Sequence, residues 1–362
     1  MPKPYAGAID CDVHPHVASI ASLSRYMSDY WRDTVALRGI ESFETIAYPA
    51  KSPLTIRPEL RTGAERADAS AKGLAKALLD PRGVELAILN CLYAVQTIRD
   101  DNLALAFSRA VNDWVRAEWL DRDPRLRASI VVPQGCPELA VEEIERIAPD
   151  QRFVQVLFVA GGEHPLGKRM FWPVHAAAER HGLVIAIHAG STYHHAVTGS
   201  GWPSYYLEDY AAQAAIFHAQ LGSLIAEGVF VKFPKLKAVL VESGVTWLPA
   251  YLWRLSKFWR GVRNEVPWID RPPIEIVRDH IRLTAQPFDG PSDAASVQRI
   301  MDLIGSDDLL LFASDFPHWH DDGGDLLPAG LTPALRRKIM IDNPRATYPR
   351  LAANGGGADA AP

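Results

Sequence analysis

Asp10-Cys11-Asp12-Val13-His14-Pro15-His16 ends the first apolar run of the chain and carries two imidazoles spaced i, i+2. On an extended strand that spacing points both rings the same way, with Asp12 on the same parity, and paired imidazoles suit a divalent metal. Two further strand ends add donors: His188 follows Val184-Ile185-Ala186-Ile187, and Asp315 follows Leu311-Phe312-Ala313-Ser314. Alone, a histidine capping a strand is an ordinary hydrogen-bonded residue, and Ser-Asp before an aromatic is an ordinary turn or N-cap. Together His14, His16, His188 and Asp315 make a nitrogen and oxygen donor set for zinc, with manganese as the alternative. A cation with an open position lowers the pKa of its bound water to about 7, and Asp315 beside it would carry the water's proton to a leaving group.

Such a set needs a scaffold that brings distant strand ends to one rim. Short β-rich apolar runs alternate with amphipathic stretches, the rhythm of a parallel sheet covered on both faces. Eight runs are predicted as strands: Ala8–Val13, Glu85–Asn90, Ala128–Val132, Phe153–Leu157, Leu183–His188, Lys237–Glu242, Ile281–Thr284 and Leu309–Ser314. Eight is the number a closed (β/α)8 TIM barrel requires, and its active site lies at the C-terminal ends of the strands. Helical patterns over Asp101–Leu120, Glu138–Ile147, Trp172–Arg180, Leu207–Ala226, Trp247–Trp259, Ser292–Ile304 and Pro333–Ile341 supply the return arms. Residues 17–80, with Gly39, Pro49, Pro53 and Pro58, read as an insertion with one or two short helices after the first strand. The chain is thus expected to be one domain over residues 1–351, with residues 352–362 (AANGGGADAAP) a disordered tail.

The loop Ser191–Tyr206 follows the fifth strand and is dense in His, Tyr, Trp and Gly, so His194, Trp202 and Tyr205, with Tyr206 beside it, are its expected substrate-binding residues. The helical tryptophans, Trp114, Trp119, Trp172, Trp247, Trp253 and Trp259, are expected to pack.

Composition excludes other classes. The 362 residues are 48% hydrophobic and 22% charged with net charge −5, a globular chain without the basic footprint of a nucleic-acid binder. Three isolated cysteines suggest neither a disulfide framework nor a thiolate metal site, and with no leader or membrane span in the sequence a cytoplasmic location is expected. Gly161-Gly162 lacks the flanking pattern of a phosphate loop, and no GxSxG nucleophile elbow occurs.

In their order along the chain these motifs resemble the amidohydrolase superfamily, in the amidohydrolase-related group that includes aminocarboxymuconate-semialdehyde decarboxylase and the resorcylate decarboxylases. Asp12-x-His14-x-His16 is similar to the first-strand metal motif and His188 to the fifth-strand ligand. Phe233-Pro234-Lys235-Leu236-Lys237, Glu242-Ser243-Gly244-Val245-Thr246-Trp247-Leu248-Pro249, Ser314-Asp315-Phe316-Pro317-His318 and Asp342-Asn343-Pro344-Arg345-Ala346-Thr347-Tyr348 resemble further family runs. The resemblance implies one divalent cation on His14, His16, His188 and Asp315, with Asp12 plus His14 as the alternative first-strand pair, and it makes a homodimer an expectation. The family decarboxylases usually carry histidine at the end of strand six, where this chain has Glu242, and a carboxylate cannot supply an imidazolium's charge. Glu242 would instead orient the metal-bound water or bind a cationic or hydroxyl-bearing group. The expected reaction is hydrolysis of a C–N or C–O bond in a small cyclic or aromatic carboxylic substrate, with Asp315 moving the proton and His318 polarising the carbonyl. The alternative is non-oxidative decarboxylation of a hydroxy-aromatic or muconate-type acid on the same ligands.

Overall fold

Aliphatic runs without polar alternation form stable strands only where both faces are covered, and the structure covers them. The computed structural model describes residues 3–43, 46–49, 66–318 and 325–353. Its strands are β1 (Ile9–Val13), β2 (Leu86–Leu89), β3 (Leu126–Val131), β4 (Phe153–Gly161), β5 (Val184–Ser191), β6 (Ala238–Val241), β7 (Ile281–Thr284) and β8 (Leu310–Leu311). They pair in parallel in sequence order. A parallel bridge from Val13 to Phe316 and the bond from Cys11 N–H to the Phe312 carbonyl (2.9 Å) bring β8 back to β1. The expected (β/α)8 barrel is therefore the observed fold.

β4 and β5 run further toward the mouth than the sequence predicts, through Gly161 and Ser191. A Cβ on Gly161 would lie 2.4 Å from Ser191 Oγ, so only glycine lets the two strands stay together there. The helices Asp101–Val115, Pro137–Ile147, Trp172–Arg180, Tyr206–Ala226, Leu248–Val262 and Ala294–Ile304 wrap the sheet. Pro273–His280 is a helix the sequence reading did not anticipate. Between β1 and β2 the described residues form the short helices Ile20–Leu23, Asp29–Leu37 and Ala71–Leu74. Residues 50–65 of the insertion, and 354–362 of the tail expected to be disordered, lie outside the described residues. No helix among the described residues is long and apolar enough to cross a membrane, and all three cysteines are free.

The C-terminal segment is tied to the barrel's lower end by side chains. Asn343 Nδ2 donates to the carbonyls of Asp307 (2.8 Å) and Leu310 (2.9 Å), fixing the start of β8. Arg350, 3% exposed, donates to the carbonyls of Ala148 (3.0 Å), Asp150 (3.3 Å), Phe153 (2.6 Å) and His181 (2.8 Å). Methionine in its place would strand those acceptors, so Arg350→Met is expected to lower the unfolding free energy by about 3 kcal/mol. Urea denaturation checks it, and an unchanged midpoint would show that the carbonyls find other donors.

Candidate metal centre and cavity

β1 delivers Asp12 and, one residue past its end, His14; β5 delivers His188; Glu242 follows β6 and Asp315 follows β8. These residues are buried or nearly so and meet at the strands' C-terminal ends. His14 Nε2 lies 3.2 Å from Asp12 Oδ1 and 3.0 Å from Asp315 Oδ1. His188 Nε2 lies 3.5 Å from Asp12 Oδ2 and 3.6 Å from Glu242 Oε2. His318 Nδ1 sits 2.6 Å from Asp315 Oδ1, and its ring stacks on that of His14 at 4.4 Å. Asp12, His14 and His188, and likewise His14, Asp315 and His318, place ligand atoms close enough to share one ion.

The orientation of the rings is set from behind. His14 Nδ1–H donates to the Asn90 carbonyl (2.9 Å) and His188 Nδ1–H to the Ala189 carbonyl (2.8 Å), so each turns Nε2 toward the carboxylates. This backing arrangement is the usual one behind metal-ligating histidines. Asn90 Nδ2 also holds Asp12 Oδ1 at 2.8 Å, while its own oxygen accepts from Gln155 (3.0 Å), which accepts in turn from the Tyr348 hydroxyl (2.9 Å). Asp12 Oδ2 and His188 Nε2 have no hydrogen-bond partner among the described residues despite being buried. Two such atoms facing one point are costly without a ligand, and the donor set fits a divalent cation.

Burial opposes ionisation of Asp12, but His14 and His188 beside it hold its carboxyl below the usual range. Glu242 goes the other way: burial, with the Asp315 charge next in size, pushes its carboxyl up. Glu242 also accepts from the Tyr210 hydroxyl at 3.0 Å and anchors its N–H on Thr284 Oγ1 at 2.9 Å. Both Glu242 (φ 58°) and Asp315 (φ 56°) hold left-handed backbone. Ala94 and Tyr193 at the cavity share it, so four of the five non-glycine residues of this kind among the described residues gather at the site. Strain of this kind persists where the surroundings over-determine a conformation.

Above the cluster opens a cavity of about 370 Å³. Phe43 and Ile46 of the insertion, Leu92 and Tyr93 after β2, and Tyr193 after β5 form its walls, and His188, Glu242 and His318 its floor. The helix Tyr206–Ala226 contributes Tyr206, Asp209, Tyr210 and Gln213. These four stand at i, i+3, i+4 and i+7, one helical face, and that spacing from Tyr206 is the signal in the sequence that would have found Asp209, Tyr210 and Gln213. Tyr193 donates to Asp209 (2.6 Å), and Gln213 accepts from the Gly190 N–H (3.0 Å), locking this helix to the loop after β5.

The structure departs from the expected site in two places. His16 does not join the cluster. β1 pairing ends where His14 N–H meets the Phe316 carbonyl, and His16 N–H turns instead to the Asp68 carbonyl (2.7 Å), so strand parity no longer governs its side chain. The i, i+2 pair that converges is Asp12 with His14. None of His194, Trp202 and Tyr205 lines the cavity. His194 bonds Glu163 (2.7 Å), Trp202 packs behind the wall on Tyr48 (4.9 Å) and Tyr193 (6.4 Å), and Tyr205 is the 72% exposed N-cap of the helix. The loop is the expected one, and of its aromatic residues Tyr206, which the sequence also marks, and Tyr193 line the cavity. His188, Asp315, Glu242 and His318 do come together as expected.

A family model described as Amidohydrolase matches residues 9–350. Among curated proteins, γ-resorcylate decarboxylase from Rhizobium sp. (strain MTP-10005) is 27% identical over 304 residues, covering 75% of this chain and 85% of that protein. γ-Resorcylate decarboxylase from Polaromonas sp. (strain JS666) is 26% identical over 290 residues, covering 74% and 83%. Among solved structures, dihydroxybenzoic acid decarboxylase from Polaromonas sp. JS666, with bound manganese and the inhibitor 2-nitroresorcinol, superposes with a TM-score of 0.69 at 21% identity, covering 98% of this chain and 100% of that one.

Proposed function

The chain belongs to the amidohydrolase family, and from that premise we propose that it is a divalent-metal-dependent carboxy-lyase that decarboxylates an ortho-hydroxy aromatic acid without an oxidant. The observation that carries this reading is the cavity beside the His and Asp cluster. It has aromatic walls, and among the described residues that line it stand two carboxylates, Asp209 and Glu242, but no lysine or arginine. Among the described residues, then, a substrate carboxylate entering it meets positive charge only at the cluster. The decarboxylase names of the relatives support the same reaction and reverse the order in which sequence reasoning placed hydrolysis and decarboxylation.

Asp12, His14, His188 and Asp315 would hold the cation, which when bound supplies the positive charge that receives the substrate's carboxylate and neighbouring hydroxyl. With Asp12 in place of His16 the donors become two imidazoles and two carboxylates, a harder set that suits manganese as well as zinc. Asp315 takes up a proton from solvent as the substrate binds and delivers it to the ring carbon that bears the carboxylate. The C–C bond then breaks, its electron pair returns to the ring, and carbon dioxide leaves as the C–H bond replaces it. His318, bonded to Asp315 Oδ1 at 2.6 Å, fixes that carboxyl and itself lines the cavity. Tyr93, Tyr193 and Tyr206 exclude water around the ring, and Glu242, held by Tyr210, offers an acceptor to a ring hydroxyl.

The test is turnover by protein loaded with Mn²⁺ or Zn²⁺ on a panel of hydroxybenzoates, 2,6-dihydroxybenzoate included, beside lactones and amides of similar size. Carbon dioxide and the matching phenol are expected in equal amounts. Hydrolysis of a lactone or amide with no carbon dioxide from any acid would return the chain to the hydrolase reading.

A further inference from the structure

At the opposite end of the barrel, residues that precede or open β6, β7 and β8 surround a second cavity of about 540 Å³. Lys235, Lys237, Arg271, Arg278 and Arg282 face it against two carboxylates, Asp279 and Asp308. Both carboxylates are already engaged: Asp279 pairs with Arg271, and Asp308 with Lys338 at 2.6 Å. Among the described residues Lys235, Lys237, Arg278 and Arg282 have no ion-pair partner, in a chain whose net charge is −5.

Arg282 makes this more than a patch of surface lysines. It is 7% exposed, and its Nη1 is tied down by the carbonyls of Arg278 (2.9 Å) and Ile281 (2.7 Å). Its buried Nε donates to nothing among the described residues. Lys237 Nζ is likewise fixed, on the Asp279 carbonyl at 2.8 Å. Burial, and after it the charge of Arg282, pulls Lys237 below the ordinary lysine range, so these cations are set against one another. His280 adds an apolar edge, its ring stacked on Phe230 at 4.7 Å and its Nδ1–H spent on the Leu236 carbonyl. Convergent, pre-fixed guanidinium and ammonium donors with surplus positive charge are what a multiply charged oxyanion requires.

We propose that this cavity binds a phosphate-type oxyanion, free or as a small phosphate ester, on the barrel face opposite the metal centre. Calorimetric titration of the full chain at constant ionic strength with inorganic phosphate, pyrophosphate and AMP tests it. Saturable 1:1 binding in the millimolar range or tighter is expected for at least one of them. AMP binding as well as pyrophosphate assigns the cavity to an ester, and binding of the inorganic anions alone assigns it to the free ion. Lys237→Met and Arg278→Met, each with unchanged circular dichroism, are expected to weaken binding about tenfold, while Arg299→Ala elsewhere on the surface leaves it unchanged. Absence of saturable binding, binding indifferent to Lys237→Met and Arg278→Met, or equal weakening by Arg299→Ala would each overturn the proposal. So would a variant that no longer folds if Lys235→Ala, which makes no side-chain bond to the fold, then binds like the wild type.

Discussion

Asp315→Asn is expected to leave the fold intact and to lower kcat by about 10³-fold with saturating metal, the range typical for removing a positioned proton donor. The fold is expected to survive because Asp315 sits at φ 56°, a conformation that asparagine tolerates better than almost any other residue with a Cβ. Its backbone N–H still reaches the Asp12 carbonyl (3.1 Å), which helps close the barrel. The amide oxygen can still accept from His318, so His318 keeps its place. What is lost is the carboxyl proton that, in the proposed reaction, passes to the ring carbon. Metal binding is expected to weaken too, so metal content is measured beside kcat and KM. A fall in KM-corrected turnover that vanishes once metal is restored would reduce Asp315 to a ligand, and undiminished kcat would remove it from proton transfer.

The architecture was legible because a buried parallel barrel writes nearly continuous aliphatic runs. Ile281–Thr284 has the bounds the sequence predicts, whereas β3 begins earlier, at Leu126 rather than Ala128. There Arg127 breaks the apolar run, and only the fold reveals that its guanidinium caps the carbonyls of Pro124 and Leu126. At the site, His188, Glu242 and Asp315 were readable because each closes an apolar run, although Glu242 and Asp315 lie past the ends of β6 and β8 in left-handed backbone, where strand parity does not set their direction. Residues in the loops that follow were not readable, because periodicity says nothing once extended pairing stops. His16 and Tyr205 fall in that gap. Phe43 and Ile46 carry no local signal at all, since their role depends on an insertion folding back over the mouth.

The electrostatics of the cluster bear on Glu242. Asp12, Asp315 and Glu242 bring three carboxylates to His14, His188 and His318 in a buried space, at contacts of 3.0 to 3.6 Å for His14 with Asp315 and His188 with Glu242. Burying so many charges is costly unless they are compensated, and a divalent cation is the most compact compensation available. Histidine at position 242 would add positive charge to the rim; glutamate adds an acceptor that the Tyr210 hydroxyl already occupies on one oxygen. The other oxygen, Oε2, lies 3.6 Å from His188 Nε2, and in the proposed reaction it is the acceptor offered to a ring hydroxyl.

The first-strand pair decides which of two metal sites the chain contains, and two substitutions separate them. Asp12→Asn keeps the side chain's volume and the acceptor that Asn90 Nδ2 holds at 2.8 Å, but removes the negative charge facing His14 and His188. It is expected to weaken Mn²⁺ or Zn²⁺ binding by about a hundredfold or more, since even removing a residue behind a ligand costs 10 to 100-fold. His16→Ala, by contrast, empties a position whose backbone N–H bonds the Asp68 carbonyl and whose side chain lines a small cavity with His14 and His318 but belongs to neither group of converging ligand atoms. Metal affinity is expected to change by no more than about threefold, because no ligand is lost. Elemental analysis after dialysis against buffered free metal reads both variants without reference to turnover. Loss of metal from His16→Ala with retention in Asp12→Asn would restore the histidine pair; loss from both would mean that the β1 end rearranges around the ion. Retention in His16→Ala with loss in Asp12→Asn would fix the donor set at two imidazoles and two carboxylates, and with it the harder character that admits manganese.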